Sequence, residues 1–260
     1  SRYMSHVFAS LRALKTNLRG SERKKGLPPT YEKFRLVRSD QECEAYGDGP
    51  LFAMAAGDIR KVIDTDVWVN PENTHMEMAR VFDTSISGTI RHLGANWFTQ
   101  GERSDDFVRR KLAESMKTDT VLPGDAIMTD TAGDLKKDHN VKKVVHVAAV
   151  QLRDDDPGCG YDTVEDVGVC VTNALALIDQ KNKGVMGVGA NQLKSVLFPL
   201  LGVGASPSEA YENVLKMLGA AVRYFRAHPK SGIQRMALLA YSEEDRRLIL
   251  KAVRHMKSDL

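Results

Sequence analysis

Apolar stretches with the character of buried strands alternate along this chain with longer stretches of helical period. The strand candidates are rich in valine, alanine and leucine and lie at 34–37, 51–55, 67–69, 126–129, 144–150, 196–200 and 236–240. The helix candidates lie at about 78–94, 103–117, 162–181, 207–228 and 243–257. Continuously apolar strands are typical of a sheet that is covered on both faces. The order therefore predicts an α/β fold, in which helices cover both sides of a mostly parallel sheet.

Chain length and cysteine usage limit the number of domains and the cellular compartment that we expect. The 260 residues are enough for one large domain with an appendage. The three cysteines, Cys43, Cys159 and Cys170, are odd in number and lack metal-ligand spacing, which favours a reducing, cytoplasmic setting over a disulfide framework. No apolar stretch approaches the ~20 residues that span a bilayer. We therefore expect no membrane span and no metal site.

The first 26 residues carry seven arginines and lysines against one acid, Glu22. We interpret 1–30 as a basic helical arm or linker and 31–260 as the folded domain. The arm's charge suits either solubility or electrostatic contact with a partner or nucleic acid. Nucleic acid is not indicated as the main ligand, because no aromatic residues are interleaved with the basic ones.

The strand candidate at 196–200 runs directly into a glycine turn. Gly202 and Gly204 open the backbone, and Ser206 is placed to cap a helix that begins near Pro207. A strand, a glycine loop and a helix N-terminus together form an anion site, because backbone N–H groups and the helix dipole favour negative charge. The chain has no P-loop signature and no nucleophile elbow, so a P-loop nucleotidase or a serine hydrolase is not supported.

Three other segments stand where strands are expected to end, which is where α/β sheets bind ligands. Asp58 follows Gly57 and could accept a hydrogen bond from an adenine amino group, or simply cap a turn. Asn70 and Asn73 could contact ribose hydroxyls, or satisfy turn backbone. The segment 85–88, Ser-Ile-Ser-Gly, could present N–H groups to an anion, or be an ordinary helix cap.

The order of these segments is more specific than any one of them. Gly-Asp-Ile at 57–59 precedes Val-Asn-x-x-Asn at 69–73, and a Ser/Gly loop then enters Ile-Arg-His-x-x-Ala at 90–95. Phe-Pro-x-x-Gly-x-Gly at 198–204 and a last strand ending in Tyr241 follow. This order resembles that of macro domains over roughly 33–256. Macro domains are three-layer α/β/α proteins, with a mixed, mostly parallel sheet, that bind ADP-ribose; some members remove it from proteins or nucleic acids.

The resemblance implies a role for each matching position. Asp58 would hold the adenine amino group above Ile59, and Tyr241 would flank the ring. Asn73 would contact the distal ribose, with Asn70 shaping that turn. The first phosphate loop would consist of Ser85, Ile86, Ser87 and Gly88, and the second of Gly202, Val203, Gly204 and Ala205. Pro199 and Ser206, on either side of the second loop, would be further ligand-binding residues. No cofactor and no metal is implied.

The first phosphate loop departs from the pattern of hydrolytic members, which carry Val-Asp-Gly where this chain has Ile86, Ser87 and Gly88. Serine is not a general base near neutral pH without a partner. Asp83 and Asn73 remain the candidate catalytic residues, and Glu72 is a further carboxylate nearby. We therefore expect a reader or sensor of ADP-ribose or a related NAD-derived nucleotide, with an ADP-ribosyl hydrolase as the alternative. Its partner would be an ADP-ribosylated protein or an NAD-consuming protein.

Overall fold

The computed structural model describes residues 30–34, 50–96, 105–152, 160–184, 192–203 and 206–258. The basic arm predicted for 1–30 lies outside these residues, apart from Thr30, which begins the first strand. Gly204 and Ala205 of the second predicted phosphate loop also lie outside them. Of the strand predicted at 34–37, Phe34 is the last residue of the observed first strand, and 35–37 lie outside the described residues.

The strands of the described residues form one eight-stranded sheet. They are β1 (Thr30–Phe34), β2 (Leu51–Ala56), β3 (Val67–Asn73), β4 (Ala126–Asp130), β5 (Lys143–Leu152), β6 (Tyr161–Thr163), β7 (Ser195–Pro199) and β8 (Arg235–Ala240). Their order is β1-β2-β8-β7-β3-β5-β4, and β6 pairs with β5. Five neighbouring strands are mutually parallel: β2, β8, β7, β3 and β5. The other three, β1, β4 and β6, are antiparallel to the strands they pair with. The predicted mixed, mostly parallel sheet is confirmed.

Helices cover both faces of the sheet. They are α1 (Ile86–Leu93), α2 (Phe107–Ser115), α3 (Gly133–Lys137), α4 (Val167–Lys183), α5 (Pro207–Ala227) and α6 (Glu243–Ser258). The first three pack with Trp68, Ile90 and Leu112 on one face. The last three pack with Phe198 and Val145 on the other. Because alternate strand residues point to opposite faces, each strand contributes to both cores, as the apolar sequence pattern predicted.

Two predicted helices begin later than their periodicity suggested. The stretch 78–94 is helical only from Ile86, because the Ser85 side chain accepts a hydrogen bond from the Gly88 N–H and starts the helix there. The stretch 162–181 is helical only from Val167, where Asp166 caps the first turn, and residues 161–163 form β6 instead. Hydrophobic period alone does not distinguish a helix from the apolar loop that precedes it.

Strand register brings the ends of three strands level. Leu239 of β8 pairs with both Ala55 of β2 and Pro199 of β7. The residues that follow β2, β7 and β8 therefore leave the sheet side by side at its carboxyl edge, where ligands bind in this class of fold. Within the described ranges, no helix is long and apolar enough to cross a membrane.

Candidate functional site

A cavity of about 570 Å³ opens at this carboxyl edge of the sheet. Its walls come from five places along the chain: 58–60 after β2; 81–86 with Thr89, His92 and Leu93 of α1; Pro199, Leu200 and Val203 at the end of β7; Leu239 and Tyr241 at the end of β8; and Asp245 of α6. Such a volume is in the range of small-molecule sites. Residues from three of the predicted sites, at 57–59, 85–88 and 198–206, therefore share one concave surface.

Seven of the thirteen predicted binding residues that the structure describes line this cavity, and so does one of the candidate catalytic residues. Those present in the lining are Asp58, Ile59, Ser85, Ile86, Pro199, Val203, Tyr241 and Asp83. Tyr241 remains 71% exposed, so one face of its ring is available to a flat partner. Their roles toward a ligand stay predictions.

The position of Asp58 follows from Gly57. Gly57 has a φ of +112° and donates its N–H to the Ala240 carbonyl at 2.7 Å, which turns the chain at the end of β2. Asp58 then caps a short 3₁₀ turn by accepting the Arg60 backbone N–H at 2.9 Å. Its carboxylate also receives the Arg60 guanidinium on both oxygens.

Arg60 determines the charge state of Asp58. Burial favours the neutral acid, but the hydrogen bonds and charge of Arg60 outweigh it and hold the pKa of Asp58 below its usual value. A carboxylate has about four acceptor positions, and Arg60 contacts both oxygens of this one. A base that used Asp58 as its acceptor would therefore share it with Arg60 or replace Arg60.

The first turn of α1 forms the wall nearest the predicted diphosphate. Ser85 caps the helix, and the first-turn N–H groups are at the positive end of its dipole. Gly88 lies behind this wall: a Cβ there would be 2.4 Å from the Asp83 carbonyl oxygen and 2.8 Å from that of Arg80. Gly88 therefore lets the segment 80–85 lie directly against the helix.

Six described candidates are outside the cavity lining: Asn70, Asn73, Ser87, Gly88, Gly202 and Ser206. Asn70 is fully buried and donates its Nδ2 hydrogen to Glu72 Oε1 at 2.6 Å. Ser87, which is 6% exposed, donates its hydroxyl to the same oxygen at 2.5 Å. Asn73 accepts the N–H groups of His75 and Glu77 on Oδ1, at 2.9 and 3.3 Å. These contacts favour the structural alternative for both asparagines, namely satisfying polar groups of the fold.

Glu72 belongs to a buried polar cluster that motif matching did not reveal. The Glu72 cluster consists of Asn70, Glu72, Ser87, His146 and Thr129, joined by hydrogen bonds. Burial raises the pKa of Glu72 to about 7, although Ser87 and Asn70 oppose that rise. Burial also lowers the pKa of His146 to about 3, so its imidazole is a neutral core group. The alternation of β3 places Asn70 and Glu72 on one face, which could have suggested the pairing.

The second predicted phosphate loop is held by its glycine. Gly202 has a φ of +66°, and its carbonyl accepts Asn213 Nδ2 at 2.9 Å. Ser206 caps α5, which begins at Pro207, as the sequence predicted, and Glu209 completes a capping box there. Neither Gly202 nor Ser206 is in the cavity lining. The contacts expected of Gly204 and Ala205 stay predictions.

Sequence reasoning missed several polar and apolar lining residues: Arg60, Phe82, Thr89, His92 and Asp245. Ser85, Thr89 and His92 are spaced by four and three residues, so a helical projection from the cap could have placed them on one face. In the described part of the chain, no group of three His, Cys, Asp or Glu side chains could hold a metal ion.

No protein-family model matches this sequence, and no curated protein matches it. Solved structures do. The Oceanobacillus iheyensis macrodomain with ADP is 16% identical with a TM-score of 0.60, over 89% of this chain and 98% of that one. The same macrodomain with MES bound is 15% identical with a TM-score of 0.59, over 89% and 99% of the two chains. The Trypanosoma brucei macrodomain in complex with ADP-ribose is 15% identical with a TM-score of 0.52, over 78% and 68%.

At these identities the likeness establishes the fold. The chain has the macrodomain fold, as the motif order predicted, and its cavity lies at the carboxyl edge of the macrodomain-like sheet.

Proposed function

We propose that this chain binds ADP-ribose or a related NAD-derived nucleotide in the cavity at the carboxyl edge of the sheet. The observation that carries the proposal is the meeting of Asp58, the start of α1 and Tyr241 around one space of about 570 Å³. Macrodomains of similar fold have been solved with ADP and with ADP-ribose.

The cavity offers a different chemistry at each end. Asp58 and the exposed Tyr241 ring suit a base, since one accepts a hydrogen bond and the other stacks. The first turn of α1 suits a diphosphate, because unpaired N–H groups and the helix dipole favour anions there. Asn73 uses one Nδ2 hydrogen toward Tyr161 Oη at 3.2 Å, and an amide has a second hydrogen that could reach a distal ribose.

A reader or sensor role is supported by the surroundings of Ser87. Its side chain is buried and hydrogen bonded to Glu72 and to the Ala79 N–H, so its hydroxyl has no position from which to activate a water in the cavity. The nucleotide would be recognised free, attached to an ADP-ribosylated protein, or as the product of an NAD-consuming partner.

Isothermal titration with ADP-ribose tests the binding proposal. The protein should bind ADP-ribose, and Asp58→Ala should weaken binding by about tenfold, because the base loses its acceptor and Arg60 loses its partner. Asp119→Ala, at an exposed aspartate outside the cavity, is the matched control and should bind normally. A folded protein that gives no heat with ADP-ribose would refute the proposal.

Asp83 supports an ADP-ribosyl hydrolase as the second candidate, because it is a carboxylate in the cavity lining. Its Oδ2 also accepts the Arg80 N–H at 3.1 Å, so Asp83→Asn is a better test than removal of the side chain. The hydrolase hypothesis predicts release of ADP-ribose from modified protein by the wild type, and loss of release with retained binding in Asp83→Asn. Binding without release from protein or nucleic acid would leave the reader role alone.

A further inference from the structure

Glu72 is a buried carboxyl that lies between the end of β3 and the first turn of α1. It is 4% exposed, and its Oε1 accepts both Ser87 Oγ and Asn70 Nδ2. Asn70 Nδ2 is also 3.0 Å from His146 Nδ1, and Asn70 Oδ1 is buried without a hydrogen-bond partner. These hydrogen bonds fix the position of the carboxyl. They do not satisfy every buried polar atom around it, which disfavours a buried charge.

Ser87 connects this carboxyl to the wall of the cavity. Its Oγ accepts the Ala79 N–H at 2.9 Å, while Arg91 Nη1 donates to the Ala79 carbonyl at 2.8 Å. Residues 81–86, which line the cavity, begin two positions after Ala79. Two hydrogen bonds thus link the Glu72 carboxyl to the segment that a ligand would touch.

The charged neighbours of Glu72 shift its pKa in opposite directions. Arg91 of α1 favours the carboxylate and Glu77, after β3, disfavours it. His146 of β5 is neutral. Burial is the largest influence and raises the pKa of Glu72 to about 7, so both its protonated and its ionised form are populated near neutral pH. A group in that state responds strongly to any new charge nearby.

We propose that Glu72 is a positioning residue that takes up a proton when an anionic ligand binds at the start of α1, which makes the affinity of the cavity depend on pH. The proposal rests on the proposed function and deepens it. A diphosphate at the first turn of α1 would bind the same turn that holds Ser87, the hydrogen-bond partner of the Glu72 carboxyl, and its negative charge would disfavour the carboxylate. Linkage then requires ADP-ribose to bind more tightly as the pH falls through neutrality.

Calorimetry in buffers of different ionisation enthalpy measures this proton directly. Titration of the wild type with ADP-ribose at pH 7, in PIPES and in Tris, should show net proton uptake, because part of the Glu72 carboxyls are still ionised before binding. Uptake should approach zero at pH 5.5, where the carboxyl is protonated before binding. The diphosphate diester of ADP-ribose does not itself titrate in this range.

Three variants identify the side chain that takes up the proton. Glu72→Gln keeps an acceptor oxygen for Ser87 but cannot titrate, so it should bind ADP-ribose without proton uptake and with a flat pH profile. Glu212→Gln, at an exposed carboxylate of α5 outside the cavity lining, is the matched control and should keep the uptake. His92→Gln is needed because an imidazole in the cavity lining would give an effect of the same sign.

The outcomes separate this proposal from the proposed function. ADP-ribose binding without proton uptake, or uptake that persists in Glu72→Gln and is lost in His92→Gln, overturns the role of Glu72 and leaves the binding function standing. Absence of ADP-ribose binding overturns both. If Glu72→Gln does not fold, the carboxyl ¹³C resonance of Glu72 in the wild type decides: its titration midpoint must rise on saturation with ADP-ribose, and an unchanged midpoint refutes the proposal.

Discussion

Replacing Gly88 with alanine should displace one wall of the cavity and leave the sheet intact. In the structure, the added Cβ would lie 2.4 Å from the Asp83 carbonyl oxygen and 2.8 Å from the Arg80 carbonyl oxygen. Both atoms are backbone, so no side chain can rotate out of the way. The segment 80–85 must therefore move away from α1.

The size of that movement follows from the same distances. Restoring an ordinary contact of 3.4 Å requires a shift of about 1 Å at Asp83. Overpacking of this kind costs about 1–3 kcal/mol, and the better helix propensity of alanine offsets about 1 kcal/mol of it. We therefore expect a modest loss in the free energy of unfolding, of about 0–2 kcal/mol, and a loss in ADP-ribose affinity of about tenfold or more.

Denaturant unfolding and isothermal titration on the same preparation measure the two effects. Gly219→Ala is the matched control: it is also a helical glycine, but its Cβ would meet the flexible end of Arg223 at 3.2 Å. That variant should keep or gain stability and bind ADP-ribose as the wild type does. Wild-type affinity in Gly88→Ala would refute the idea that segment 80–85 forms a wall of the binding site.

Three further predictions concern the surroundings of the cavity. Gly202→Ala should lower the free energy of unfolding by about 1–3 kcal/mol in denaturant titration, because φ is +66° and the Cβ would lie 2.5 Å from Asn213 Nδ2; Gly184→Ala, with its nearest contact at 3.5 Å, should not. Asn73→Ala should cost about 1–2 kcal/mol of stability through the lost turn hydrogen bonds, and a loss of ADP-ribose affinity beyond that of Tyr161→Phe would indicate a ribose contact. Because the pKa of Glu72 is raised in the folded state, its contribution to stability is complete below about pH 4.5 and is lost as the pH rises through 7. The free energy of unfolding of the wild type, minus that of Glu72→Gln, should therefore fall between these two pH values. A constant difference would contradict the raised pKa.

In the pH range where Glu72 titrates, His146 changes the free energy of unfolding in the opposite direction. Burial lowers the pKa of His146 to about 3 in the folded state, whereas its pKa in the unfolded chain is about 6.5. Its contribution to stability is therefore complete above about pH 6.5 and is lost as the pH falls, because the unfolded chain takes up the proton more readily. The wild-type profile is therefore flattened between about pH 4.5 and 6.5. Only the comparison with Glu72→Gln isolates the carboxyl.

Local sequence patterns predicted much of the fold and part of the site. The strands at 196–200 and 236–240 are read from short apolar runs, and their ends are marked by Pro199 and Tyr241. The capping box of Ser206 is also visible, because cap and glutamate are three residues apart. The short strand at 161–163 was missed, since three residues next to a helix carry no period of their own.

The sequence by itself determined the α/β order of elements, the glycine turns and the set of side chains at the strand ends, because these depend on neighbours within a few residues. Only the tertiary structure decided which of those side chains share a cavity. Asp58, Ser85 and Tyr241 meet because β2 and β8 are in register and α1 packs over the sheet beside them. Asn70 and Ser87 belong to the same motifs but face the buried Glu72 carboxyl, since the direction of a side chain depends on strand alternation and helix rotation across distant segments.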